Sequence, residues 1–193
     1  MSIEKEKREE GILLSLKRLD FLTREQIEKL HPLGKTRNAQ RILSEMTEYI
    51  SNFTNERKKV YYLNKEGRER VEAKKVRKKT PLVNHYLMRN DLFINQGRPS
   101  SWRNEMKIEI PDSKVSIIPD AVFIKNKLHH FVEVDYKQSM NKNVTKVKRY
   151  QQLYELNPQF VVMWITLTPY RKKKLESMCK GLNVQVYLWD DIK

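Results

Sequence analysis

A single cysteine, Cys179, leaves no partner for an internal disulfide and no set of thiolates for the usual multi-cysteine zinc site. It falls in an amphipathic stretch, where a core position is expected. No apolar run approaches the ~18 residues that cross a bilayer, and none follows the charged amino terminus. Neither a membrane span nor a signal peptide is expected, so the expected location is the cytoplasm, with no membrane partner. Internal repeats, low-complexity segments and sustained heptads are also missing. Acidic residues are the last shortage: 24 stand against 39 lysines and arginines, a formal charge of +15. That surplus favours a polyanionic partner through counterion release, and nucleic acid is the first candidate, which the motifs below narrow to double-stranded DNA.

The 193 residues suffice for one ordinary domain or two small ones, and a 39% apolar fraction with 9% aromatics supports a core. Residues 4–19 carry Ile12, Leu13, Leu16 and Leu19 at helical spacing. Thr23 followed by Gln26 is a capping box that predicts a second short helix, closed by Pro32 and Gly34. A third helix is expected from about Thr36, with Ala39, Ile42, Leu43 and Met46 on its buried stripe. Its other face carries Lys35, Arg37, Asn38, Gln40, Arg41 and Ser44, residue types that read DNA. Tyr49-Ile50, a polar turn over 51–59 with Arg57, Lys58 and Lys59, and then Val60–Leu63 predict a hairpin.

Three short helices and a hairpin in this order resemble a winged helix-turn-helix, and Y-Y-L-N-K-E-G-R-E-R-V at 61–71 resembles the strand and helix that close the wing in bacterial regulators. The resemblance implies that the third helix enters the major groove while the wing residues touch phosphate. The alternative is a protein-interaction module whose polar helix face is merely solvated. Residues 72–80 form a charge run ending at Pro81, expected to finish the wing-following helix in solvent. The domain boundary is placed there, giving 1–80 and 81–193.

Beyond it, helices are expected over 82–97, 141–156 and 169–180, and strands near 105–110, 114–124, 129–137, 159–166 and 183–189. Met106, Ile108 and Ile110 alternate in the first strand, and Q-F-V-V-M-W-I-T at 159–166 is apolar on both faces, as in a central strand. Period-two alternation puts Glu133, Asp135 and Lys137 on one face and Val132, Val134 and Tyr136 on the other, with Asp120 at the end of the preceding strand. Such charges are costly to bury unless they pair, bind a cation or line a cleft. The bland alternative is a solvated edge in which the carboxylates pair with Lys137, Arg149 or His130.

This αβββαβ order, with P-D at 119–120 and D-Y-K at 135–137, resembles the PD-(D/E)XK nuclease superfamily over roughly residues 82–189. The expected fold is therefore α+β, a winged helix-turn-helix followed by a PD-(D/E)XK-like domain with a central mixed sheet flanked by helices. The resemblance implies magnesium or manganese on Asp120 and Asp135, with Lys137 orienting the attacking water and Tyr150 or Gln151 as a helix contribution. If Glu133 instead holds the acidic position, Asp135 falls at the lysine position and the site is degenerate.

Over its whole length the chain also resembles the replication-relaxation family of plasmids, conjugative elements and phages. The resemblance is carried by T-R-N-A-Q-R-I-L at 36–43, Y-Y-L-N-K-E-G, H-Y-L-M-R-N-D-L at 85–92, P-D-A at 119–121 and E-V-D at 133–135. It implies a DNA-binding accessory role in mobile-element replication, relaxation or transfer, needing no cofactor to bind DNA. A homodimer and replication or transfer proteins of the same element are the implied partners. The alternatives are a magnesium-dependent endonuclease targeted by the winged helix, and a transcriptional repressor.

Overall fold

The computed structural model describes residues 3–109 and 115–193. The chain divides into two compact units, Met1–Asn90 and Asp91–Lys193, and this division falls inside a helix and not at Pro81.

In the first unit, α1 (Ile3–Leu19) buries Ile12, Leu13, Leu16 and Leu19, as their spacing dictates. A short strand, β1 (Leu22–Thr23), leads into α2 (Arg24–Leu30). The capping box starts that helix: the Gln26 amide donates to Thr23 Oγ1 and the Thr23 amide to Gln26 Oε1, each at 3.2 Å. Helix α3 (Thr36–Glu45) buries Ala39, Ile42 and Leu43 and leaves Arg37, Gln40, Arg41 and Ser44 exposed. The hairpin β2 (Ile50–Asn55) and β3 (Lys58–Leu63) follows, and then α4 (Lys65–Arg70). The three strands form an antiparallel sheet in the order β1-β3-β2.

Two expectations change. Most of 51–59 is strand and not turn, because Phe53 lies opposite Val60 and the ladder runs on to Asn55 and Lys58. Glu56 and Arg57 alone make the turn, at φ 47° and 65°. A two-residue hairpin loop demands this left-handed backbone, which glycine usually supplies. Asn84 holds the turn, accepting from Asn55 Nδ2 at 2.7 Å and donating to Glu56 Oε1 at 2.9 Å. The run 72–80 does not extend the helix either. Helix α4 ends at Arg70, Glu72 turns the chain at φ 53°, and residues 73–80 are irregular. Like charges four residues apart, as Lys74 with Lys78 and Lys75 with Lys79, would repel on a helix surface, whereas here Arg77 ties the segment down through Nε to Asp20 Oδ1 at 2.8 Å.

Residues of two motifs have structural explanations. The Gly67 amide donates to Asn64 Oδ1 at 2.9 Å at the start of α4, and a Cβ on Gly67 would stand 2.0 Å from the Tyr49 carbonyl oxygen. The next helix, α5 (Val83–Asn95), carries the buried Arg89 and Asn90. Arg89 Nη2 donates to Asp20 Oδ2 at 2.9 Å, and Asn90 Nδ2 to the carbonyls of Leu19 and Phe21, so this helix clamps the corner between α1 and β1.

The second unit holds β4 (Arg103–Asn104), β5 (Ile108–Glu109), β6 (Ser116–Ile117), β7 (Ala121–Lys125), β8 (Leu128–Asp135), α6 (Met140–Leu156), β9 (Phe160–Thr166), α7 (Pro169–Met178), β10 (Val184–Leu188) and α8 (Trp189–Ile192). Its main sheet runs β10-β9-β8-β7-β4, parallel between β10, β9 and β8 and antiparallel from β8 to β4. The architecture is α+β with a mixed sheet. Every residue of β9 is buried, as the doubly apolar run requires. Phe131, Val162 and Trp164 pack with Val147, Tyr150 and Leu153 of α6 and with Leu175 and Cys179 in the core of this unit.

The strand expected over 105–110 is replaced by β4, which joins the main sheet, and β5, which pairs with β6 in a separate ribbon; Ile110 lies outside the described residues. Position 114, where the next strand was expected to start, lies outside them too. The rest of that strand is split into β6 and β7 around Pro119, which has no N–H to give to a ladder. Strand β8 stops at Asp135, two residues short of Lys137.

Candidate functional site

Each unit gathers charge in a different way. In the first, α2, α3 and the hairpin border a groove of about 620 Å³ whose lining includes Arg24, Gln40, Arg41, Arg57, Lys58 and Lys59. The last five were expected from the sequence. Arg24 was missed, although its place directly after the Thr23 cap puts it in the first turn of α2. Lys35 and Arg37 are exposed at the start of α3 but do not line the groove. Asn38 is half-buried, with Nδ2 donating to the Leu33 carbonyl at 2.8 Å and Oδ1 accepting from Arg41 Nη2 at 2.9 Å. It orients Arg41. Arg41 Nη1 also donates to Glu45 Oε1 at 2.6 Å, in an exposed i,i+4 pair of the kind that contributes little and is readily exchanged. Glu25 lines the groove as well; burial acts to raise its pKa, but its own backbone amide and Lys58 outweigh that and lower it. A concave face carrying this many cationic donors suits a polyanion.

In the second unit the carboxylates are paired and closed in. Ala121 lies opposite Val132 in the β7–β8 ladder, so Asp120 comes beside the middle of β8. Its Oδ2 accepts the Val134 amide at 2.7 Å. Glu133 is 2% exposed. It accepts from the Tyr150 hydroxyl at 2.7 Å and from the Lys146 ammonium, which also lies 3.8 Å from Asp120 Oδ2. Lys146 and Tyr150 stand four residues apart on α6 and so share a face. Burial, and after it the charge of Asp120, pushes the Glu133 pKa up to about 8. Burial works against the Lys146 ammonium, but Glu133 and Asp120 outweigh it and raise its pKa. Burial and Glu133 also hold the Tyr150 hydroxyl well above its ordinary value.

Asp135 belongs to a second, separate set of bonds. Fully buried, it accepts from Arg171 Nε at 2.6 Å and Nη2 at 2.5 Å, from Asn143 Nδ2 at 2.8 Å and from Thr166 Oγ1 at 2.7 Å. Burial acts to raise its pKa, but the bonds from Arg171, Asn143 and Thr166 prevail and lower it. Lys137 is exposed, beyond the strand end at φ 53°, with its ammonium over the Tyr136 ring at 5.2 Å. Period-two alternation ends with the strand at Asp135, so it no longer governs Lys137. The structure thus brings Asp120 and Glu133 together, assigns Asp135 to Arg171, and leaves Lys137 outside both sets. Lys146 and Arg171 were missed because they come from elements distant in sequence. The i,i+4 spacing of Lys146 to Tyr150 was the available signal for the first, and the Thr168-Pro169 helix start after β9 for the second.

These residues do not fit a divalent cation. Among the described residues no group of three His, Cys, Asp or Glu side chains is placed to hold a metal ion. Asp120 and Asp135, the expected ligands, have separate partners, and an ammonium already lies between Asp120 and Glu133. Cys179 is in the core as expected, where burial pushes its thiol up to about 11. No helix among the described residues is long and apolar enough to cross a membrane.

Among solved structures, protein VC1899 from Vibrio cholerae is similar, with 14% sequence identity and a TM-score of 0.41. The match covers 100% of this chain and 55% of that one, so this chain spans about half the length of that protein. No curated protein matches the chain. The family described as Replication-relaxation matches residues 13–160, well over half of the 193. The chain belongs to the replication-relaxation family.

Proposed function

We propose that the protein is a sequence-specific DNA-binding accessory factor of a plasmid or other mobile element, acting in its replication, relaxation or transfer. The first unit is read as a winged helix-turn-helix, with α3 as the base-reading helix and the β2–β3 hairpin as the wing. The second is read as a PD-(D/E)XK-like domain whose carboxylates support its structure and do not cleave. One observation carries the proposal: the groove that collects Gln40 and Arg41 of α3 with Arg57, Lys58 and Lys59 of the hairpin. Arginine and glutamine there match the donors that read guanine and adenine edges, and the hairpin cations suit phosphate. The family adds the setting of replication and relaxation.

The competing reading is a magnesium-dependent endonuclease, favoured by the approach of Asp120 to Glu133. The ammonium between them and the commitment of Asp135 to Arg171 count against it. The deciding experiment recovers DNA bound to the full chain in cells and sequences it. Enrichment of an origin or transfer region supports the accessory role, enrichment of promoters alone would make the protein a repressor, and no enrichment overturns DNA binding. Robust magnesium-dependent nicking by the pure protein, lost in Asp120→Ala, would establish the nuclease instead.

A further inference from the structure

Two carboxylates, Asp120 just before β7 and Glu133 within β8, converge in the second unit, and the cation between them comes from the protein itself. Lys146 projects from α6 onto Glu133 and reaches to 3.8 Å from Asp120 Oδ2. The surroundings hold all three side chains in place. The Val134 amide bonds Asp120 Oδ2, the Tyr150 hydroxyl bonds Glu133 Oε1, and α6 fixes the root of the lysine one turn before Tyr150. Magnesium and manganese take about six oxygen ligands at roughly 2.0–2.2 Å. Two carboxylates that approach one another in this way supply the anionic part of such a set, and water can supply the rest. With the ammonium in place, a dication at the same position meets a like charge at contact distance and loses the Glu133 oxygen that Lys146 occupies.

We propose that Lys146 is a resident cation that occupies the position a divalent ion would take between Asp120 and Glu133. The native cluster therefore excludes divalent metal, and removing the ammonium opens a site for a hard cation of the magnesium or manganese class. The inference deepens the reading of the second unit as a non-cleaving domain. It concerns metal binding alone and does not depend on whether the first unit binds DNA.

The test titrates manganese into the full chain and reads free and bound ion by electron paramagnetic resonance. Native protein and Lys146→Arg, which keeps a cation on α6, should bind no manganese that depends on Asp120. Lys146→Met should bind one equivalent, and adding Asp120→Asn to that variant should abolish it. Circular dichroism and thermal melting establish that each variant is folded, and Lys146→Gln, which keeps a polar head beside Glu133, serves as a second opening variant. Manganese bound by the native chain and lost in Asp120→Asn would overturn the proposal without reference to any Lys146 variant. Folded Lys146→Met and Lys146→Gln that both fail to bind would overturn it as well. DNA binding by the same samples is measured separately, so failure of the accessory reading is distinguished from failure of this one.

Discussion

The groove of the first unit and the carboxylate cluster of the second both concentrate charge, but they satisfy it in opposite ways. In the groove, Arg41, Arg57, Lys58 and Lys59 are exposed, and the pair of Arg41 with Glu45 is a surface contact. In the cluster, Glu133 and Asp135 are buried, and each is met by a cation and by neutral donors. Exposed like charges repel one another and gain by meeting a polyanion, which is the basis for proposing the groove as a DNA-binding face. Buried groups with their hydrogen bonds filled hold one another in place, so that removing one strands the other, and they offer little to a substrate. A single polyanion could not be handled by both regions in the same way.

The sharpest test of this contrast removes Arg171. Arg171→Ala leaves Asp135 buried with only Asn143 and Thr166, and losing one partner of a buried pair costs about 3–5 kcal/mol. Chemical denaturation of the full chain should show that loss in the transition of the second unit. A cost below about 1 kcal/mol, the range of surface pairs, would mean that the cluster is solvated after all.

Glu133 supplies the next effect, through pH. Its pKa in the folded chain stands at about 8 against an ordinary 4.5, so the folded state holds the proton more tightly and stability falls as pH rises through that window. The decline runs between about pH 5 and about pH 7.5 and is on the order of a few kcal/mol. Lys146, raised above its ordinary 10.5, loses its contribution only at higher pH, and Asp135, lowered below 3.8, only in more acid solution. His130 opposes the trend: burial lowers its pKa below 6.5, so its contribution is lost as pH falls. Comparison with Glu133→Gln isolates the glutamate, because His130 is common to both proteins. Parallel pH profiles for the two would show that Glu133 is ionised in the fold.

The smallest effect on the fold, and the most informative for function, belongs to the groove. Arg41→Ala should cost about 1–3 kcal/mol of affinity for the preferred DNA site and much less for random DNA. Its effect on stability should stay within about 0.5 kcal/mol, as for any exposed i,i+4 pair. Lys58→Ala should weaken both DNAs alike and lower the slope of log affinity against log salt by about one. Equal losses for Arg41→Ala on both DNAs would make Arg41 a phosphate contact, and no loss on either would remove α3 from the interface.

Much of this was legible in the sequence because it depends on near neighbours. The stripe of Ile12, Leu13, Leu16 and Leu19, the Thr23–Gln26 box and the doubly apolar run of β9 each follow from contacts a few residues apart. The basic surplus and its concentration near α3 and the hairpin were legible for the same reason. Tertiary structure alone decided which carboxylate meets Asp120. Alternation along one strand places Glu133 and Asp135 on the same face, and only the pairing of Ala121 with Val132 brings Asp120 beside Glu133. A positive φ at Lys137 took the expected lysine away, while Lys146 and Arg171, from the helices that precede and follow β9 in the chain, supplied the cations that the strand did not. Local sequence determines an element and its buried face through short-range packing; the register between strands and the reach of a distant helix depend on the whole core.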